Sequence, residues 1–396
     1  MNVEHGSLTG MRVLITGGTG FVGGRLVERL VMEQHANVRV MVRNYTNATR
    51  IARFPIEMIK GDITNKDDVF QAAKDCKIIF HLAYGNDGSE ENRRRVNVGG
   101  TKNIIEATLY NKVDRLIYLS TVMVYGKKHE EEIDETYPRR YSGNHYADTK
   151  LDAENLVLES IKMHGLRASV IQPTTVYGPF APVWTVNVLN QLKTGNIILV
   201  NDGDGICNAV YIDDLINAMI LVATKDQAIA EVFLISGAIP VTWKTFFKRY
   251  EQMLGISSTI NMTASEAILR YKERQKLKGF IHEMYDILRE ENDIRNRIIN
   301  TYELHTLRKL MRLLVPDQIK HSIKRKINGG SREPGISSDQ VKPILLLHPS
   351  GVQFYTKKTK VCINKAKSLI GYQPCYDFEA GMHLTEQWAK WANLLN

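Results

Sequence analysis

Short apolar runs recur along the first half of the chain, each bounded by polar or turn-forming residues. The runs at 12–16, 38–42, 56–59, 78–82, 115–119 and 168–171 are nearly continuous in hydrophobic residues, with little alternation. That pattern belongs to strands buried on both faces of a parallel sheet. The run at 232–236 reads as a seventh strand. Between the runs lie stretches with helical periodicity, such as 21–34 and 100–110. Strand, helix and strand in repetition predict an α/β fold built on a doubly wound parallel sheet. From about Pro173 the pattern loosens. Residues 1–173 with 207–236 are expected to form the sheet domain. Residues 174–206 with 237–396 are expected to form a smaller mixed, mostly helical lobe over the carboxyl ends of the strands, where ligands sit in open α/β sheets. Inside the lobe, 262–345 stands out as an insert, helical and basic in its larger part, with a flexible loop expected at 328–338.

Composition narrows the class. Apolar residues make up 43% and charged residues 24%, ordinary values for a globular protein. No run approaches the ~18 uncharged apolar residues of a membrane span, and the first ten residues lack the features of a secretory signal. Cys76, Cys207, Cys362 and Cys375 are scattered, with no metal-ligand spacing. They suit reduced thiols, so the expected compartment is the cytoplasm and no metal is expected. Net charge is +9, and residues 262–330 hold 15 Lys/Arg against 9 Asp/Glu. No zinc-finger or aromatic RNA-binding pattern accompanies this charge, so nucleic acid is not an expected partner.

The first strand runs straight into Thr16-Gly-Gly-Thr-Gly-Phe-Val-Gly23, followed by a helix. Gly17, Gly20 and Gly23 are spaced GxxGxxG. Such a turn needs glycine's backbone freedom, lets a pyrophosphate approach the main chain, and presents it to the positive end of a helix. At the junction of a first strand and helix, this spacing identifies a dinucleotide site of Rossmann type, with Phe21 and Val22 in the same turn. At the end of the second strand, where NAD enzymes place a carboxylate for the ribose 2′-hydroxyl, stands Arg43. A guanidinium pairs with a 2′-phosphate, which favours NADP. An arginine stacked on adenine, with NAD as the alternative cofactor, is the other reading.

Tyr146-Ala-Asp-Thr-Lys150 and, twenty-five residues before it, Thr121 in Ser120-Thr-Val-Met-Val-Tyr-Gly126 carry the chemistry. YxxxK alone also suits the polar face of an amphipathic helix. With Gly61-Asp62, His81-Leu-Ala83, Asn97-Val-Gly-Gly-Thr101, 173–179, 210–214 and 369–374 in the same order, the chain resembles the extended short-chain dehydrogenase/reductase superfamily, in its NAD-dependent epimerase/dehydratase branch. The resemblance covers roughly 11–260 and 354–392. It implies that Tyr146 is the acid/base and that Lys150 grips the nicotinamide ribose. Asp62 is expected at the adenine, with Ile63, Leu82, Ala83 and Pro173 lining the cofactor site. Tyr146 and Lys150 lie at i and i+4 and share a helix face. The lysine ammonium, with the positive nicotinamide of the oxidised cofactor, is expected to lower the tyrosine pKa, and the Thr121 hydroxyl to steady a developing alkoxide.

The chain departs from that branch at three places. Val122 and Met123 stand where dehydratases carry Asp and Glu, and neither transfers a proton. Thr175 and Cys207 stand where epimerases hold a diphosphate with Asn and Arg; with Thr121 they are the expected substrate residues. The leading expectation is an epimerase or 4-ketoreductase acting on a nucleotide-activated or otherwise anionic sugar. The alternatives are a reductase or dehydrogenase of a hydrophobic alcohol of sterol or polyphenol type, and a non-catalytic NADP-sensing protein. A homodimer is expected, and the basic insert is read as a lid, an oligomer contact or a peripheral membrane patch.

Overall fold

The computed structural model describes residues 7–85, 88–126, 131–290 and 342–396, with 279–290 described by backbone alone. In chain order the strands are β1 (Arg12–Thr16), β2 (Asn37–Val42), β3 (Glu57–Lys60), β4 (Ile78–His81), β5 (Arg115–Leu119), β6 (Glu132–Ile133), β7 (Ala168–Pro173), β8 (Thr175–Tyr177), β9 (Asn196–Val200), β10 (Ile206–Cys207), β11 (Ala209–Tyr211) and β12 (Val232–Ile235). The helices used below are α1 (Phe21–Met32), α2 (Lys66–Ala73), α3 (Glu90–Arg94), α4 (Gly100–Tyr110), α5 (His145–His164), α6 (Asn187–Thr194), α7 (Ile212–Thr224), α8 (Trp243–Leu254) and α9 (Ala264–Glu290).

Seven strands form one parallel sheet in the order β12-β7-β5-β4-β1-β2-β3, so all seven apolar runs of the sequence are sheet strands. Alternate residues of one strand feed two different cores. Val13 and Ile15 join the cluster containing Leu26, Val27 and Ile216, whereas Leu14 joins Ile79, Ile104 and Val157 on the other face. Both faces are covered by helices, which is why the runs are hydrophobic throughout. The strand order reverses between β1 and β4, and the ends of β1, β2, β4 and β5 converge at that switch point, where open α/β sheets bind ligands. On one face α1 is locked to α7 by a bidentate pair, Arg25 Nε to Asp213 Oδ1 at 2.6 Å and Nη2 to Oδ2 at 2.8 Å.

Beyond the main sheet, the described residues make only small sheets. β8 pairs with β11, β10 with Val241–Thr242, β6 with Lys360–Val361, and β9 sits between Thr259–Met262 and Ile344–Leu345. An aromatic cluster binds this region together: Trp243 packs on Trp184, Phe246, Phe354 and Tyr355 at centroid distances of 4.9–5.5 Å. Of the insert, α9 is described; Arg270, Lys272, Arg274 and Lys276 on it are exposed. The helix expected through Leu304, Leu307, Met311 and Leu314 and the loop at 328–338 lie outside the described residues. Among the described residues no helix is long and apolar enough to cross a membrane.

Candidate active site

The turn after β1 is shaped by contacts that leave no room for side chains. Gly17 has φ +76, and a Cβ on it would lie 2.7 Å from the Ala83 nitrogen. A Cβ on Gly23 would lie 2.2 Å from the Gly17 carbonyl oxygen. Gly20 is less confined, with 3.3 Å to the same oxygen. Gly18, not singled out by the spacing, is as tight as Gly17, because its Cβ would meet Val40 Cγ1 at 2.5 Å. Gly20 is the N-cap of α1 and supplies no capping side chain, so the first N–H groups of the helix, beginning at Phe21 and Val22, face the turn without one. Free N–H groups at a helix start, with the positive end of its dipole, suit a pyrophosphate. Below the turn His81 is fully buried, its Nδ1 2.7 Å from Thr16 Oγ1 and its Nε2 2.9 Å from Thr101 Oγ1. Burial, with Lys150 nearby, pushes its pKa down to about 3, so it is a neutral structural link.

The remaining cofactor residues surround this turn. Leu82 and Ala83 follow β4, where the Leu82 N–H donates to the Thr16 carbonyl at 3.1 Å. Arg43 directly follows β2 and is exposed. Asp62 accepts from the N–H and the hydroxyl of Thr64, both at 2.8 Å. Burial raises the Asp62 pKa, but these bonds and the nearby Arg43 and Arg95 leave it below the usual range. Ile63 is buried beside Gly100, and Pro173 is buried at the end of β7.

The catalytic helix α5 starts at Asn144, whose side chain accepts from the Ala147 N–H, and stops at Gly165 in the left-handed region. These caps place Tyr146 and Lys150 on its inward face. Thr121 begins the turn after β5, is buried, and its hydroxyl lies close enough to the Tyr146 phenol to favour the phenolate. Lys150 Nζ donates to the Leu119 carbonyl at 2.7 Å and stands over the Tyr118 and Tyr84 rings at 4.9 and 5.6 Å. Tyr84 meets Tyr146 edge-on, centroids 5.0 Å apart. The three expected catalytic residues therefore come together.

One expectation is corrected. The Tyr146 pKa lies above its ordinary value, because burial outweighs the nearby Thr121 hydroxyl, which lowers it; the neighbouring Tyr84 raises it further. Burial likewise pushes Lys150 down to about 8, opposed by Glu154. In the protein without cofactor, desolvation sets the direction, and Lys150 is not among the groups that shift the phenol.

A buried polar network behind these residues went unread in the sequence. Glu154, fully buried, accepts from Ser120 Oγ at 2.5 Å, Arg139 Nε at 2.5 Å and Gln172 Nε2 at 2.8 and 3.0 Å. Gln172 Oε1 accepts from the Tyr125 hydroxyl at 2.7 Å. A glutamate at i+4 from Lys150 is a visible signal, but its partners come from three other segments.

Thr175 and Cys207 are not brought to the catalytic trio. Both are buried, Cys207 with no exposed surface, and burial raises the pKa of its thiol strongly against the lowering influence of the Thr175 hydroxyl. A sealed thiol meets no ligand in this arrangement, and it lies in the apolar core with Val210 and Phe246. Near the catalytic turn, half-buried Lys357 donates to the Gly126 carbonyl at 3.2 Å, and burial pushes it down to about 8. A hollow of about 330 Å³ lined by Met11, Ile78, Arg115 and Asp226 lies at the opposite end of the strands. Among the described residues no group of His, Cys, Asp and Glu is placed to hold a metal.

The model of the NAD dependent epimerase/dehydratase family matches residues 13–236. Among curated proteins, the 2-alkyl-3-oxoalkanoate reductase of Shewanella oneidensis is 28% identical over 244 residues, 58% of this chain and 62% of the reductase. The short-chain dehydrogenase/reductase family 42E member 1 of Danio rerio is 30% identical over 266 residues, 62% of this chain and 68% of that protein. The 3 beta-hydroxysteroid dehydrogenase/Delta 5-->4-isomerase of Mycobacterium tuberculosis is 30% identical over 253 residues, 59% and 67% of the two chains. The match thus spans under two thirds of the Shewanella reductase. Among solved structures, the UDP-glucose 4-epimerase of Thermotoga maritima superposes with a TM-score of 0.67, covering 97% of this chain and all of the other. At 18% identity that likeness is one of fold.

Proposed function

The chain belongs to the NAD-dependent epimerase/dehydratase family, as an oxidoreductase of the extended short-chain type, and from that premise we propose that it interconverts a ketone and a secondary alcohol on a largely apolar substrate. The observation that carries this reading is the grouping of buried Thr121 with Tyr146 and Lys150, the last two on one face of α5, beside the glycine turn. The bound nicotinamide supplies the two electrons and the hydrogen that the carbonyl carbon gains or loses. Tyr146 gives the proton to the carbonyl oxygen, or takes it from the alcohol. Thr121 donates to the same oxygen and stabilises its developing charge. Lys150 lies one turn on, on the same face of α5, and its ammonium would favour the phenolate against the burial that raises Tyr146. Matching this pKa to the working pH is worth roughly 10²–10⁴ in rate. Val122 and Met123 carry no titratable group, so dehydration is not part of the reaction.

Two things support an apolar substrate over a nucleotide sugar. The positions expected to hold a diphosphate are Thr175 and the sealed Cys207, which offer no cation. The curated relatives include reductases and a steroid dehydrogenase. One observation favours a second reading, an anionic sugar: Lys357 holds an ammonium beside the catalytic turn. For the cofactor, exposed Arg43 at the end of β2 favours NADP over NAD. The test is NADPH and NADH oxidation with 3-oxo acids, 3-ketosteroids and UDP-4-keto sugars, wild type against Tyr146→Phe. Turnover of an apolar ketone, lost in the variant while NADPH still binds, is the expected result. Turnover of the keto sugar alone would replace this reading with the second.

A further inference from the structure

Glu154 has no solvent exposure, yet it sits one helical turn beyond Lys150 on the catalytic helix. Its ties reach both ends of the catalytic turn. At the near end, Ser120 donates to Oε2, directly before Thr121. At the far end, Tyr125 donates to Gln172, and Gln172 donates to both carboxylate oxygens. The Gln172 NH2 donates to the carboxylate, and its Oε1 accepts from the Tyr125 hydroxyl. Arg139 brings a guanidinium to Oε1. The carboxylate thus meets a guanidinium, an amide NH2 and a hydroxyl, the donor set of an ionised group.

We infer that Glu154 is a positioning residue: its buried carboxylate holds the Thr121 turn against α5 and keeps the Lys150 ammonium charged beside the cofactor. This rests on the oxidoreductase reading above and adds the group on which its lysine depends. Lys150 is taken wholly out of water, and an isolated ammonium there would shed its proton. The groups facing it are His81 from β4, neutral; Tyr118 from β5 and Tyr84 after β4, both phenols; and Tyr146 and Glu154 from α5. Glu154 is the anion among them. Facing Glu154 in turn are Arg139, Tyr125, Tyr118 and Lys150. Burial takes Lys150 to about 8 with Glu154 opposing the fall.

The two charged partners predict shifts of opposite sign. Glu154→Gln keeps an acceptor for Ser120, removes the anion and leaves the Arg139 cation uncompensated, so Lys150 loses its proton at lower pH. Arg139→Gln, at a partly exposed site, leaves the anion less neutralised, so Lys150 holds its proton to higher pH. The readout is the NADPH dissociation constant from fluorescence at pH 6–10, with circular-dichroism melting of each protein. Wild-type affinity should fall as pH rises through about 8. The midpoint should move down by roughly one unit in Glu154→Gln and up in Arg139→Gln. Equal midpoints in all three proteins, shifts of the same sign, or no pH dependence in wild type would overturn the inference. If Glu154→Gln does not fold, the direction of the Arg139→Gln shift decides. Because this readout is cofactor binding, its failure is distinct from a failure to reduce apolar ketones.

Discussion

The three motif glycines look alike in sequence, yet the structure ranks them. A Cβ on Gly23 would stand 2.2 Å from the Gly17 oxygen and 2.8 Å from the Gly18 Cα, both main-chain atoms. Ordinary contact begins near 3.4 Å, so the start of α1 must move off the turn by about 1 Å. Overpacking of this kind costs about 1–3 kcal/mol. At Gly17 the same order of clash against Ala83 joins a φ of +76, which for a residue with a Cβ costs about 1–3 kcal/mol more. At Gly20 the backbone is extended, with φ −79, and the contact of 3.3 Å needs only a slight adjustment. Gly17→Ala and Gly23→Ala should therefore lower the melting temperature by several degrees, and Gly20→Ala by little. The sharper readout is the cofactor. NADPH at a hundred times its Kd stabilises a protein by about 2.7 kcal/mol, roughly 3 °C in a chain of this size. That gain should persist in Gly20→Ala and vanish in Gly23→Ala, because displacing the N–H groups of α1 by about 1 Å breaks the phosphate cradle. Differential scanning fluorimetry with and without NADPH measures both. A Gly23→Ala protein that melts like wild type and keeps the full gain would refute the reasoning.

Arg43→Asp should weaken NADP binding by tenfold or more, with NAD affected less; equal affinity of the wild type for both cofactors in calorimetry would remove the basis for NADP. Asp214 accepts from the Cys375 and Tyr376 N–H groups, yet burial raises it to about 6. Its folded pKa lies above the unfolded value, so its contribution is fully present below pH 3.8 and lost as pH rises through about 6, on the order of 3 kcal/mol. Asp214→Asn should flatten that part of the stability profile in urea melts at pH 4–7, and an unchanged slope would count against it. Replacing Arg270, Lys272, Arg274 and Lys276 together by Gln should raise KM for an anionic substrate if α9 acts as a lid, with NADPH affinity unchanged; loss of vesicle flotation or of dimerisation would point to the rival roles of the insert.

Much of this molecule is local and therefore legible along the chain. The inner strands of the sheet are apolar runs, because a strand covered on both faces is hydrophobic along its length, whereas the edge strand β3 keeps exposed Glu57 and Lys60 at its ends. The glycine spacing and the strand-to-helix junction announce the cofactor turn, since close backbone approach excludes side chains wherever the fold is made. Tyr146 and Lys150 share a face by helix geometry alone. The strands of two or three residues, such as β8, β10 and β11, have no period to detect, and only their partners from distant segments define them. Glu154 gathers Ser120, Arg139 and Gln172 from positions 34, 15 and 18 residues away, a meeting that no local pattern encodes. Cys207 stands where the resemblance implies a ligand contact, but folding seals it in the core. The Tyr146 pKa went the other way from expectation for a related reason. A neighbouring charge can be read from i and i+4, whereas desolvation is set by everything that packs around the phenol, and that exists only in the assembled fold.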